Sequence, residues 1–278
     1  MKSIKNFIIE GKHQKPIVTD VFYKEDHQPK KVVIFCHGYK GFKDWGCWDL
    51  VAEEFVNRGF NFIKFNFSHN GVTTENPTEF DDLEAFGNNN YTKELFDLQV
   101  MMDWVSADNE FDSFFDKSEI YVIGHSRGGG IVTLTSAKDS RVKKAVTWAS
   151  VSNLIDRLPS EIEDWKSAGV VYQLNGRTKQ NMPLYYQFKE NTILNKEFLD
   201  IEKISRKIKI PFCVIHGRKD IAVKEEEATN LDKWIPTSQL ILIEDATHTF
   251  GSYHPYDKDE LPEDLKTVVD ESINFLEQ

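Results

Sequence analysis

Ile120-Tyr-Val-Ile-Gly-His-Ser-Arg-Gly-Gly-Gly-Ile131 is the stretch that decides how the chain is read. Ile120 to Ile123 are apolar or aromatic and predict a buried strand. Gly124, His125, Ser126, Arg127 and Gly128 fit G-x-S-x-G. Beyond them Ile131, Val132, Leu134 and Ala137 can line one side of a helix. Strand, glycine-bounded turn and helix are the context in which a serine is held on a sharp, strained corner. Ser126 is then expected at the carboxyl end of a strand and the N-terminus of a helix, where free N–H groups favour developing negative charge.

Working outward, strands are predicted at 4–9 and 17–23, joined by a polar turn that lets them pair antiparallel. Val32-Val-Ile-Phe-Cys36 is a continuous apolar run of the kind a doubly covered central strand shows. A helix is predicted at about 45–57, a strand at 60–67, a long polar loop to Asn90 and a helix at about 92–105. After the Ser126 helix come a strand at 142–148, one at 210–215, a helix near 224–234, a strand at 239–243 and a helix at 261–276. Strands alternating with helices imply a mostly parallel sheet covered on both faces. The rhythm breaks from about 149 to 206, a segment rich in aromatics. We read it as a cap inserted into a single domain. Trp165, Tyr172 and Tyr185 are its candidate substrate-binding residues.

Ligands in such sheets bind beyond the carboxyl ends of the strands. The His37-Gly-Tyr-Lys-Gly-Phe42 loop, Ser126, the Asp220 loop and the His248 loop all fall there. A serine hydroxyl needs a base, and the base needs a partner that fixes its tautomer. Ser126, Asp220 and His248 supply those types in that order. Asp156, soon after the 142–148 strand, is the alternative acid, and His254 the alternative base. His37 and His216 precede glycines at strand ends and read as structural. Ser68 and His69 are minor candidates for lining the pocket.

The four segments together resemble the α/β-hydrolases, nearest to small bacterial carboxylesterases and to dienelactone-hydrolase-like and prolyl-oligopeptidase-like members. His37-Gly38-Tyr39 resembles their H-G-x oxyanion loop, and Gly124–Gly128 their nucleophile elbow. His216-Gly-Arg-Lys-Asp-Ile-Ala-Val223 resembles the segment carrying the acid. Ala246-Thr-His-Thr-Phe250 resembles the one carrying the base. The resemblance implies a serine esterase with Ser126 as nucleophile, His248 as base, Asp220 as acid and the backbone N–H groups of Tyr39 and Arg127 as oxyanion hole. It implies no metal and no organic cofactor. Peptidase, thioesterase and acyltransferase share the same machinery, and a non-catalytic binding scaffold is the rival outside enzymes.

Composition narrows the partners. Forty per cent hydrophobic and 28% charged residues are ordinary for a globular chain. The net charge of −11, with no basic stripe, disfavours nucleic acid and anionic membrane as partners and reads as simple solubility. The partner that the resemblance implies is a small-molecule ester. No apolar run reaches the roughly 18 residues of a transmembrane helix. Met1–Glu10 lacks the apolar core of a secretory signal. The three cysteines, Cys36, Cys47 and Cys213, read as reduced thiols. The expectation is a cytoplasmic enzyme. Nothing in the sequence sets the oligomeric state.

Overall fold

The computed structural model describes residues 1–159 and 164–278. Strands β1 (Lys2–Ile9), β2 (Ile17–Tyr23) and β3 (Lys30–Cys36) lead to helix α1 (Trp48–Asn57) and strand β4 (Asn61–Phe65). Helices α2 (Leu83–Gly87) and α3 (Tyr91–Ser106), strand β5 (Phe115–His125), helix α4 (Arg127–Ser136) and strand β6 (Val142–Trp148) follow. After an intervening segment come β9 (Phe212–Gly217), α9 (Glu225–Trp234), β10 (Ser238–Ile243) and α10 (Glu263–Glu277). The eight-stranded sheet runs β1-β2-β4-β3-β5-β6-β9-β10. From β4 onward every neighbour is parallel, and β1 and β2 are antiparallel, as their adjacency in sequence predicts.

Side-chain alternation assigns each strand to two cores. Val32 and Ile34 of β3 face one core with Ile120 and Val122 of β5, and Val33 and Phe35 face the other with Tyr121 and Ile123. Helices α3, α4 and α9 cover the first face, and α1 and α10 the second. The central strands are therefore apolar on both sides, which is why they read as unbroken runs. Among the described residues no helix is long and apolar enough to cross a membrane.

The structure departs from expectation in several places, most boundaries by one to three residues. Helix α1 begins at Trp48 and not at 45, because Gly46 sits at φ +61° and breaks helical geometry. The long loop contains the short helix α2, capped by the Asp82 carboxylate on the amide of Ala85. Strand β4 carries a charge that its apolar neighbours conceal. Lys64 is fully buried and faces Asp20 of β2, at 2.9 Å. Lys43 reaches the same carboxylate at 2.8 Å, and Asp44 and Asp49 complete the group. Attraction to both ammonium groups outweighs burial and holds Asp20 well below the ordinary carboxylate range.

The intervening segment is more regular than the sequence suggests. It holds a short helix α5 (Trp165–Ala168), a hairpin of β7 (Val170–Leu174) and β8 (Asn181–Tyr185), and helices α6 (Gln187–Leu194), α7 (Lys196–Leu199) and α8 (Ile201–Ser205). Trp165, Leu184, Phe188, Leu199 and Ile201 join the same apolar core as α3 and α4. Residues 160–163 of the expected cap lie outside the described residues.

Candidate active site

Strand β5 ends at His125, and the chain turns within one residue into α4. Ser126 is that residue, at φ 57° and ψ −119°. A non-glycine residue there costs on the order of 1–3 kcal/mol, so the surroundings must impose it. They do so by contact. A Cβ on Gly124 would lie 2.3 Å from the Gly128 oxygen, and one on Gly128 would lie 2.3 Å from the Cys36 oxygen. Strand, helix and the end of β3 thus close on one another, and the Ser126 side chain is left pointing into a cleft.

Asp220 follows β9 and His248 follows β10, so both arrive at the same edge. His248 Nε2 lies 3.1 Å from Ser126 Oγ, and its Nδ1 donates to Asp220 Oδ2 at 2.7 Å. The other Asp220 oxygen accepts from the amides of Ala222 at 2.8 Å and Val223 at 2.9 Å. Burial works against ionising Asp220, but the bonds from His248 and the two amides prevail and its pKa is lowered. Asp156 is exposed and accepts from Asn153, and His254 accepts from the Gly46 amide. Neither belongs to the cluster. Ser68 bonds His69, and both lie outside the lining of the cleft.

Three further histidines fix the loops. His37 donates from Nδ1 to the Gly38 oxygen at 2.8 Å, while its Nε2 accepts from the Phe67 amide at 3.3 Å. Burial lowers its pKa to about 4, so it is neutral. In a trans peptide the C=O and N–H point opposite ways. Tethering the Gly38 oxygen therefore turns the Tyr39 N–H toward the cleft. Neither that N–H nor the Arg127 N–H has a protein acceptor among the described residues. His125 donates to the His248 oxygen at 2.9 Å, and His216 donates to the Val223 oxygen at 2.9 Å. Sequence reasoning read His37 and His216 as structural but missed what each one holds.

Two cavities meet at Ser126 and His248. One, of about 260 Å³, lies under the hairpin and is lined by Tyr39, Tyr91, Arg127, Leu184, Phe188 and Val223, among others. The second, about 210 Å³, lies toward Trp45, Trp48 and Thr249. The expected substrate-binding aromatics are a correction. Alternate residues of a strand face opposite sides. Gln173 and Leu184 face the cavity, whereas Tyr172 and Tyr185 lie on the other face of the hairpin. Tyr172 is 62% exposed, and Tyr185 packs over Gly87 and donates to Glu84. Trp165 is fully buried, with its indole N–H on the Leu184 oxygen at 3.0 Å. Trp165→Ala should then cost about 3–5 kcal/mol of stability and leave ester preference unchanged. Phe188→Ala should instead alter the acetyl-to-aromatic ester ratio. Melting temperatures and the kcat/KM ratio for both variants check this, and a shifted ratio in the Trp165 variant would refute it.

Behind this cavity lie Glu94 and Asp97, both buried. Asp97 accepts from the Ser68 amide at 2.7 Å, and its second oxygen has no partner among the described residues. Burial raises its pKa from 3.8 to about 7, opposed by the Ser68 bonds and helped by Glu94. The folded chain therefore holds this proton where the unfolded chain has lost it. The contribution of Asp97 to stability is intact below its unfolded pKa and is lost as pH rises toward about 7. Asp97→Asn removes that loss. The variant should gain on the parent, by on the order of 4 kcal/mol at most, between about pH 4 and pH 8. Denaturant unfolding across that range tests it, and a pH-independent difference would contradict it.

Residues 31–178 match the model of a family described as the α/β hydrolase fold. The chain belongs to that family. Lipase 1 of Psychrobacter immobilis is 29% identical over 171 residues, covering 47% of this chain and 50% of the lipase. The match thus spans about half the length of that relative. Among solved structures, Est1E from Butyrivibrio proteoclasticus aligns over 99% of this chain and 100% of its own, with TM-score 0.70 and 16% identity. Mouse α/β hydrolase domain-containing protein 10 aligns over 98% of both chains, with TM-score 0.69 and 16% identity. At these identities the α/β-hydrolase neighbours establish a shared fold.

Proposed function

We propose that the chain is a serine hydrolase that cleaves a small carboxylic ester through an acyl-enzyme. The observation that carries this reading is the unbroken Ser126–His248–Asp220 hydrogen-bond chain at the strained turn. Ser126 Oγ attacks the acyl carbon while its proton passes to His248 Nε2. The oxyanion forms against the N–H groups of Tyr39 and Arg127. His248 then protonates the departing alcohol oxygen as the C–O bond breaks. Water, deprotonated by the same nitrogen, releases the acid and restores Ser126. Asp220 keeps Nδ1 protonated and stabilises the imidazolium. The similarity to Lipase 1 of Psychrobacter immobilis supports the substrate class.

We read the body and the 149–206 segment as one domain with a cap, supported by the core they share. The three buried, unpaired cysteines fit a reducing compartment such as the cytoplasm. The test is labelling by a fluorophosphonate probe. A stoichiometric adduct on Ser126 is expected, and an unlabelled chain would favour the scaffold reading.

A further inference from the structure

The Arg127 side chain has no part in the chemistry above. Arg127 nevertheless lines the cavity under the hairpin, together with Tyr39, Tyr91 and Phe188. Its guanidinium lies 3.8 Å above the Tyr39 ring centroid, with Tyr91 and Phe188 at 5.1 and 5.6 Å, so aromatic faces hold its plane. The side chain is 13% exposed. Its one ion-pair partner among the described residues is Glu94, with Nη1 to Oε1 at 3.3 Å. That is longer than the 2.7–2.9 Å typical of a charge-assisted bond. The same Glu94 oxygen also accepts from Asn89 at 2.8 Å. Nε and Nη2 of Arg127 have no acceptor among the described residues.

Arginine keeps its charge and presents five N–H donors in a rigid fork. Here most of that fork has no acceptor among the described residues, and the aromatic rings that hold it line the same cavity as the nucleophile. Arg157, the other cation of this cavity, is already bound to Glu227. The cavity, at about 260 Å³, is below the usual range of about 300–1,000 Å³ for ligand pockets, which favours a small substrate group there. We propose that this cavity selects small esters bearing a carboxylate, which the free edge of the Arg127 guanidinium binds. This rests on the ester-hydrolase reading and names its substrate class. The carboxylate can belong to the acyl or to the alcohol half, whichever enters this cavity.

The experiment compares kcat/KM within matched pairs. The acyl pair is 4-nitrophenyl hemiglutarate against 4-nitrophenyl valerate. The alcohol pair is the acetate of 4-hydroxybenzoate against that of 4-hydroxybenzamide. In one pair the charged ester is expected to be preferred roughly 10- to 100-fold, the range for a hydrogen bond to a charged group. Arg127→Gln should bring the ratio close to one even if both rates fall. Glu94→Gln, which leaves the cation uncompensated, should raise it. A purely structural role would slow both members of a pair alike. Equal rates within both pairs for the parent enzyme, or a preference that survives Arg127→Gln, would overturn the proposal. Should the variants not fold, the parent's ratios decide alone. Cleavage and fluorophosphonate labelling without charge preference would strike this inference only. Loss of both cleavage and labelling would strike the ester reading itself.

Discussion

Ser126→Ala is expected to lower ester turnover by on the order of 10⁴ to 10⁶ while the protein folds as before. The turn itself tolerates the substitution. Alanine keeps the Cβ, so the turn at φ 57° is no more strained than with serine, and the close approach of Gly38 is unaltered. The backbone bonds that hold the turn, Ser126 N to the Trp148 oxygen at 2.9 Å and Gly129 N to the Ser126 oxygen at 3.0 Å, do not involve the side chain. What disappears is the one oxygen that bonds His248 Nε2 among the described residues. Residual turnover then reflects binding and the oxyanion donors alone. Measuring kcat alongside the melting curve checks both halves of the statement. Retention of roughly a tenth of the parent rate would remove Ser126 from the nucleophile's role.

Asp220→Asn carries the second largest effect, on the order of a 10⁴-fold fall in kcat with KM little changed. The geometry shows why an isosteric change is so damaging. Two backbone amides bind Oδ1 at 2.8 and 2.9 Å, so in the variant the amide oxygen must stay there. Its NH₂ group then faces His248 Nδ1, where a carboxylate had accepted a proton. Two donors cannot share that position, so the imidazole proton moves to Nε2. A ring protonated at Nε2 donates to Ser126 and cannot take its proton. Asp156→Asn is the matched control, since Asp156 is exposed and bonds Asn153. If that control proved the more damaging, the acid would have to be reassigned to Asp156.

The sequence carried the body of the fold almost to the residue where burial is symmetrical. Val32–Cys36 and Ile120–Ile123 lie within strands as predicted, because residues buried on both faces leave an uninterrupted apolar signature. The strands at 17–23 and 142–148 keep their predicted ends although Thr19, Asp20, Lys143 and Lys144 interrupt them. It failed where the signal lies in which face of an element a residue occupies. Val170–Leu174 and Asn181–Tyr185 are five residues each, and β8 contains Pro183, so no alternation stood out. Counting aromatics in that segment selected Tyr172 and Tyr185, one pleat out of phase with the cavity. The long pairings were also out of reach. Arg127 with Glu94, or Lys64 with Asp20, are partners only after the sheet has formed. The candidate triad, by contrast, sits at strand ends, where the fold class already dictates convergence.

The fastening of the hairpin bears on how such proteins can be recombined. Arg177 binds Glu79, Gln180 donates to the Phe80 oxygen, and Gln187 donates to the Asn89 oxygen, across 98 to 100 residues of sequence. Tyr39 donates to Gln173 from a third stretch of chain. The heritable module is therefore discontinuous. A chimera that exchanges 149–206 alone carries over one half of each fastening and meets a stranger's loop with the other. Only a graft that moves 78–90 and Tyr39 together with the hairpin transplants all of these fastenings.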